Sequence, residues 1–178
     1  MPLSNTRIIE LLQSRFSTEV SAFEESWDML SMEVDAAQHL QVMTFLRDHE
    51  ELRFNFLTTL CGMHFPDNPE NRRFAVVYHL HNWMDNVRLR YTAFIPEQNP
   101  EIDSASSLFL SANWQERETY DFFGIVFRNH PDLKRILNMD EMVSFPLRKE
   151  HPLEDGNRTD KNDVYFGRTP QNQPLTQN

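Results

Sequence analysis

The chain is poor in the residues that most cofactor sites require. It has one cysteine, Cys61, in 178 residues, whereas a disulfide takes two thiols and the common iron–sulfur clusters take four. We therefore expect no internal disulfide and no cysteine-ligated cluster, and a free thiol is typical of the cytoplasm. The four glycines, at positions 62, 124, 156 and 167, are too scattered for a dinucleotide fingerprint or a phosphate-binding loop.

Long apolar runs and positive charge are also scarce. No apolar run approaches the roughly 20 residues that span a bilayer, and residues 1–4 do not begin like a secretory signal. The 27 acidic residues outnumber the 17 basic ones, giving a net charge of −10. Nucleic acids and anionic lipids select positive surfaces. We therefore expect a soluble cytoplasmic chain with no transmembrane segment. We also expect that the chain binds no nucleic acid.

Hydrophobic periodicity predicts an α+β fold, a mainly antiparallel sheet with helices packed on one face. The predicted elements are a helix after Ser4 or Asn5, strands at 20–23 and 30–34, a helix after Asp35, strands from 54, 74 and 87, a loop at 96–103 and a short helix from Asp103 or Ser104 to Leu110. A hairpin at 84–86 joins the last two long strands. Residues 1–145 form one domain in this interpretation, and residues 146–178 form an extended tail.

Strand alternation also predicts which side chains share a face of the sheet, and this bears on two possible reactive sites. In the strand from Phe54, alternation predicts Phe56 and Leu60 on one face and Leu57, Cys61 and Met63 on the other. Cys61 is then a buried, inert thiol, although with His79 or His130 it could form a nucleophile and base. A metal site at His79, His81 and His64 is a weaker hypothesis, because no carboxylate completes the ligand set.

Charge and aromatic bulk are concentrated in residues 116–137, which we call the signature stretch. Asn113 and Glu116 fit a capping box at a helix start, and Gly124 fits its end. Arg117 and Asp121 are four residues apart, the spacing of a helical ion pair. A second helix is predicted from His130-Pro131, with Leu133, Ile136 and Leu137 on its apolar side and Lys134 and Arg135 near its end.

These charged residues allow two interpretations. In the first, Glu116, Glu118, Asp121 and His130 form the acid–base group of a stand-alone hydrolase. In the second, they form an ion-pair network that holds the helix against the sheet and presents a surface to another protein of an assembly. The hydrolase interpretation lacks a nucleophile elbow, a metal site and a phosphate loop.

The signature stretch resembles that of the C subunit of respiratory complex I, the proton-translocating NADH-quinone oxidoreductase. The shared pattern is Glu116-Arg117-Glu118, Asp121 followed by Phe122-Phe123, His130, and Arg135 followed by Ile136-Leu137. Residues 54–66, 73–91 and 112–114 resemble the family upstream, and 146–150 and 152–153 resemble its closing segment. The similarity covers about residues 50–153. Residues 142–145 and His151 depart from the family pattern.

This resemblance implies a cofactor-free structural subunit of the peripheral arm, on the cytoplasmic side of the cell membrane. FMN and the iron–sulfur clusters would belong to partner subunits, and the chief partners would be the quinone-cavity subunit and the iron–sulfur subunits. The chain would contain no catalytic residue. The expected structural or interface residues are Glu116, Arg117, Glu118, Asp121, His130, Arg135, Arg148, Lys149, Tyr165 and Phe166. The alternative is the equivalent subunit of a ferredoxin-linked quinone reductase or a membrane-bound hydrogenase.

The tail carries too few apolar residues to form a core of its own. Beyond Glu154 the sizeable apolar residues are Val164, Tyr165, Phe166 and Leu175. Ordering a backbone costs about 1–2 kcal/mol per residue. We therefore expect the tail to become ordered on a partner, with residues 164–166 as its anchor.

Overall fold

A mixed five-stranded sheet forms the centre of the computed structural model, which describes residues 3–27 and 29–151. Its strands are β1 (Val20–Ser26), β2 (Met29–Val34), β3 (Phe56–His64), β4 (Phe74–Asn82) and β5 (Val87–Ile95). They lie in the order β1-β2-β5-β4-β3. The β2–β5 pairing is parallel and the other three are antiparallel. The predicted hairpin between β4 and β5 is confirmed.

Three α-helices of the described residues pack on one face of this sheet, which we call the inner face. They are α1 (Asn5–Arg15), α2 (His39–Asp48) and α3 (Ala112–Phe123). Ser4 accepts a hydrogen bond from the Arg7 amide at 3.2 Å, so the predicted cap of α1 is confirmed. The apolar stripes of α1 and α2 meet the sheet residues in a single core. The predicted α+β class is therefore confirmed.

A β-bulge in β3 changes which residues face the core. Leu57 pairs with Leu80 and Leu60 pairs with Tyr78, and the register shifts between Leu57 and Thr59. Because a bulge inserts one residue, Leu57 and Leu60 both point to the inner face. The predicted separation of Leu57 from Leu60 is therefore wrong. Cys61 is on the outer face and is exposed, so the prediction of a buried thiol is wrong as well.

Two short strands form a second sheet that simple alternation does not reveal. They are β6 (Glu101–Asp103) and β7 (Val126–Arg128), which pair in parallel. The end of the predicted 96–103 loop is therefore a strand. The short helix predicted up to Leu110 is wrong, because residues 106–108 form only turns.

The start of α2 also differs from its prediction. Asp35 accepts a hydrogen bond from the Ala37 amide at 2.9 Å, but this bond opens a turn and the helix begins at His39. An aspartate side chain bonds its own backbone two residues on in a turn as readily as it caps a helix. Asp35 therefore marks the approach to α2 and not its first residue.

Candidate functional site

The candidate site is α3 together with the two chain segments that it binds. The helix approaches β3 closely at Gly62, where a Cβ atom would lie 2.7 Å from the Phe123 ring and 2.8 Å from Thr119. Gln115 accepts a hydrogen bond from the Leu60 amide, which ties the helix to the same strand. Glycine is therefore required at position 62 by the packing of α3 on the sheet.

The two ends of α3 show one correct and one incorrect prediction. Gly124 follows the helix with φ 73°, and its amide donates to the Tyr120 carbonyl at 2.8 Å, so the predicted helix end is confirmed. Ser111, not Asn113, is the cap position, and no side chain caps the helix. The predicted capping box is wrong because Asn113 already lies inside the helix. Glu116 instead binds a neighbouring loop.

Asp121 is the best-satisfied charged group of the site. Its buried carboxylate accepts hydrogen bonds from the Arg135 guanidinium (2.7 Å) and from the backbone amides of Ile136 (3.1 Å), Leu137 (2.8 Å) and Asn138 (2.9 Å). The Asn138 side chain donates a further bond at 3.1 Å. Although burial alone would raise it, these donors hold the pKa of Asp121 well below its ordinary value. Asp121 is therefore charged at neutral pH and holds the backbone of residues 136–138 in place.

The predicted pair between Arg117 and Asp121 is wrong, because Asp121 pairs with Arg135. Arg117 instead donates to the backbone carbonyls of Lys134 (3.2 Å) and Arg135 (3.1 Å), and its guanidinium lies 5.1 Å from the centre of the Trp114 ring. Arg117 and Asp121 thus both bind the same segment downstream. The four-residue spacing therefore does not indicate a bond between Arg117 and Asp121, because each of them binds the downstream segment instead.

We call this segment, residues 133–145, the signature loop. The helix predicted from His130-Pro131 is wrong, because residues 130–145 contain turns, bends and irregular backbone but no helix. Asp121 accepts from three of its backbone amides, and Arg117 donates to two of its carbonyls. Arg135 donates to two more, those of Met142 and Ser144. The loop is therefore shaped by α3 and by its own arginine in place of regular backbone pairing.

The signature loop turns large apolar side chains to the outside. The exposed fractions are 66% for Leu137, 73% for Met139 and 95% for Val143. Apolar side chains exposed together in a pinned loop are typical of a contact surface. The charged network thus fixes the loop that carries these exposed apolar side chains.

The closing segment binds next to the end of α3. The Leu147 amide donates to the Phe122 carbonyl at 3.2 Å, and Arg148 donates to the Phe123 carbonyl at 2.7 Å. The Lys149 amide donates to Nδ1 of His64 at 3.0 Å. Residues 147–149 therefore contact the domain directly. The predicted anchor residues Tyr165 and Phe166 lie outside the described residues.

A buried polar cluster lies on the inner side of α3. The Glu116 carboxylate accepts from the Ser104 hydroxyl and the Ala105 amide, both at 2.6 Å, and its Oε2 is 3.8 Å from Nε2 of His130. Burial raises the pKa of Glu116 to about 7, although the two hydrogen bonds oppose the rise. Nearby, Nε2 of His39 hydrogen-bonds the Asp103 carbonyl at 2.8 Å, and burial lowers the pKa of His39 to about 4.

These two shifts give opposite pH dependences of stability. The folded pKa of Glu116 is above its ordinary 4.5, so its contribution to stability is full below pH 4.5 and is lost as pH rises through 7. The folded pKa of His39 is below its ordinary 6.5, so stability falls as pH drops from 6.5 towards 4. At about 1.4 kcal/mol per pKa unit, each effect is roughly 3 kcal/mol. They oppose each other between pH 4.5 and 6.5.

The predicted acid–base group is not gathered at one place. Glu118 is exposed, Asp121 is saturated with donors on the signature loop, and Glu116 with His130 is buried on the other side of α3. Cys61 makes no hydrogen bond with His79 or His130 within the described ranges. His79 and His81 do share the outer face, but the described residues hold no cluster of three metal-ligating side chains.

Sequence reasoning missed two contributors to the network. Asn138 supplies both an amide and a side-chain donor to Asp121, and Ser104 anchors Glu116. Neither could be recognised from spacing, because each acts across a loop whose path is set by the fold. The one available signal was the charge density of the signature stretch itself.

The fold and site define a class of protein: an α+β domain in which one helix organises an exposed apolar loop. Over residues 32–157 the chain matches the family described as "Respiratory-chain NADH dehydrogenase, 30 Kd subunit". Because the match covers more than half of its length, the chain belongs to this family.

Two curated relatives illustrate the similarity. The chain is 39% identical over 153 residues to the NADH-quinone oxidoreductase C subunit of Roseiflexus sp. (strain RS-1), covering 86% of this chain and 87% of the relative. It is 40% identical over 154 residues to the C subunit of the same enzyme from Citrifermentans bemidjiense, covering 86% and 93%. Both relatives are subunits of an oxidoreductase complex.

Two solved structures share the fold. A structure described as a trypsin-resistant fragment of Nqo5 shares 31% identity at a TM-score of 0.59, covering 71% of this chain and 99% of the fragment. A chain of an archaeal membrane-bound sulfane sulfur reductase has a TM-score of 0.69 at 15% identity, covering 96% of both chains. At that identity the second likeness shows a shared fold only. No helix among residues 3–27 and 29–151 is long and apolar enough to cross a membrane.

Proposed function

We propose that this chain is a structural subunit of the peripheral arm of a proton-translocating NADH-quinone oxidoreductase, on the cytoplasmic side of the membrane. The complex passes electrons from NADH through FMN and iron–sulfur clusters to a quinone, and partner subunits hold those cofactors. The chain itself holds none and performs no chemistry. Its partners are chiefly the quinone-cavity subunit and the iron–sulfur subunits.

The observation that carries this proposal is the use of the charged signature residues. Asp121, Arg135 and Arg117 bind the backbone of the signature loop, and the apolar side chains of that loop point outward. A catalytic carboxylate needs access to a substrate, whereas Asp121 has no exposed surface and five donors. Family membership supports an NADH-quinone oxidoreductase as the complex.

A pair of matched variants tests the assembly role. Val143→Asp places a charge on the signature loop, and Leu110→Asp places one at a similarly exposed position before α3, the exposed fractions being 95% and 90%. Neither change opens a cavity, so both chains should fold equally well. We expect Val143→Asp to reduce the amount of complex that copurifies with the tagged chain, and Leu110→Asp to reduce it less.

Activity per assembled complex separates a structural from a catalytic role. NADH-quinone activity should fall in proportion to the complex recovered, so that the remaining complexes have the wild-type rate. Fully assembled but inactive complexes would contradict the proposal.

The equivalent subunit of a ferredoxin-linked quinone reductase or membrane-bound hydrogenase is distinguished by the electron donor. We expect the purified complex to reduce quinone with NADH. Turnover with reduced ferredoxin and not with NADH would favour this alternative.

A further inference from the structure

The outer face of the five-stranded sheet carries a groove near the turns at one end of the sheet. This outer-face groove has a volume of about 650 Å³. Its chemistry is set by Met29, Phe56, His79, His81, Trp83 and Arg88. It is on the opposite side of the sheet from the three α-helices. It takes no part in the hydrogen-bond network of Arg117, Asp121 and Arg135, which we call the α3 network.

One part of the groove is aromatic. Phe56 and Trp83 meet edge to face with ring centres 5.4 Å apart, and His81 lies 4.9 Å from Trp83. Both of the larger rings are exposed, with 62% of Trp83 accessible. Exposed aromatic clusters of this kind are enriched at protein interfaces, since they bury much area at low entropic cost.

The other part is basic. Arg88 lines the groove opposite His81, whereas Arg90, opposite His79 on the same face, lines a neighbouring pocket that also contains Glu24 and Glu33. Nε of Arg90 and Nδ1 of His79 are shielded from solvent, yet neither has a hydrogen-bond partner in the part of the chain described. Arg88 and Arg90 form no ion pair with any described carboxylate. A shielded polar atom without a hydrogen-bond partner is costly, so a polar group of a partner that reached His79 would be stabilised there.

None of the described residues that line the groove is acidic, although the chain has a net charge of −10. Among these residues Arg88 therefore gives the groove a positive charge on an acidic protein. A nucleic acid would be repelled by the rest of the surface and would find too few cations in the groove. A short peptide segment meets only the local charge of the groove, and a carboxylate on it could accept two hydrogen bonds from the Arg88 guanidinium.

We propose that the outer-face groove binds an acidic segment of another protein of the complex, in which an Asp or Glu lies near a large apolar residue. The carboxylate pairs with Arg88, and the apolar side chain packs against Phe56 and Trp83. This surface is additional to the signature loop. The inference rests on the proposed function only in requiring that the chain works within a complex.

Site-specific cross-linking tests the contact directly. A photoreactive benzoylphenylalanine replaces Trp83 in the full-length tagged chain, the complex is purified and irradiated, and cross-linked peptides are identified by mass spectrometry. We expect a peptide from another protein of the complex with an acidic residue within a few positions of the cross-link. A cross-link to residues 152–178 of this chain, to a segment without an acid, to nucleic acid, or to nothing would overturn the proposal.

A charge-reversal pair tests the basic contribution. Arg88→Glu changes the groove, and Arg15→Glu makes the same charge change at an exposed position of α1. We expect Arg88→Glu to weaken retention of the cross-linked partner about tenfold or more at moderate salt, because it opposes like charges across the interface. Arg15→Glu should have no such effect, and an equal effect of the two variants would contradict the proposal.

Purification with the wild-type tagged chain separates the two hypotheses. If the wild-type chain recovers no complex at all, the proposed function fails. If the wild-type chain recovers the complex but the variant with benzoylphenylalanine at position 83 gives no cross-link, only the groove assignment fails.

Discussion

Removal of the Arg135 side chain is the sharpest test of the α3 network. The Arg135→Ala change deletes the guanidinium that lies 2.7 Å from Asp121 and leaves a carboxylate with no exposed surface short of its charged partner. Breaking one side of a buried ion pair typically costs about 3–5 kcal/mol of the free energy of unfolding. We expect a loss in this range in urea-induced unfolding of the full-length chain.

Arg117→Ala is the matched control. Arg117 is on the same helix as Asp121 at the spacing of an ion pair, but its guanidinium donates to two backbone carbonyls at 3.2 and 3.1 Å. Hydrogen bonds from charged groups contribute about 1.5–3 kcal/mol. The loss should therefore be smaller than for Arg135→Ala, since no buried charge is left unpaired.

Double-mutant cycles with Asp121→Ala separate direct from indirect effects. Residues in one ion pair show coupling energies of about 0.5–3 kcal/mol. We expect coupling of at least about 1 kcal/mol between Arg135 and Asp121 and a clearly smaller value between Arg117 and Asp121. The reverse order would refute the assignment of the ion pair. Should Asp121→Ala fail to fold, Asp121→Asn replaces it in both cycles.

Three further predictions concern other parts of the chain. Gly124→Ala should lower the free energy of unfolding by at least about 1–2 kcal/mol, because φ is 73° there and the new Cβ would lie 2.5 Å from the Phe145 ring. Thermal unfolding measures this loss, and an unchanged midpoint would contradict the prediction. Glu116→Gln should leave the His39 effect unopposed, so that stability falls as pH drops from 6.5 to 4, whereas His39→Gln should give stability that falls as pH rises from 4.5 to 7. Urea unfolding at several pH values checks both slopes, and parallel curves for wild type and variants would exclude the pKa shifts. Limited proteolysis should cut beyond Leu153 faster in the isolated chain than in the assembled complex, and equal rates would argue against binding of the tail to a partner.

The five main strands and the three helices could be predicted because their apolar residues repeat with the period of each element. Val76, Tyr78 and Leu80 alternate as β4 requires, and Ile8 and Leu12 repeat as α1 requires. Local patterns of this kind persist whatever the tertiary context. The α+β class followed from them without knowledge of any contact.

The errors occurred where a side chain bonds to a distant backbone. The spacing of Leu133, Ile136 and Leu137 is helical, but the amides of residues 136–138 are taken by Asp121 and by no carbonyl within the segment. Similarly, Glu116 binds Ser104 and Ala105 across a loop and not the start of its own helix. The bulge in β3 is an error of another kind, because one extra residue in the strand reverses the faces of all the residues that follow it and leaves no mark in the apolar pattern.

The site was predicted in location but not in its bonding partners. Charge density identified α3 and the residues after it, and the structure brings Arg117, Asp121 and Arg135 together there. The choice between two possible arginine partners for Asp121 depends on the path of the signature loop. Sequence spacing carries no information about that path.

The parallel pairing of β2 with β5 joins two strands that are far apart in the chain, and this affects the order in which the sheet can form during synthesis. β2 is complete early in translation, but Leu30 must wait for Leu89 to emerge before it can pair. Until then β1 and β2 can form only an isolated two-stranded hairpin, which is marginally stable in water. The β4–β5 hairpin has a short connection and can form as soon as it leaves the ribosome. We therefore expect the second half of the sheet to act as the template on which the N-terminal hairpin docks.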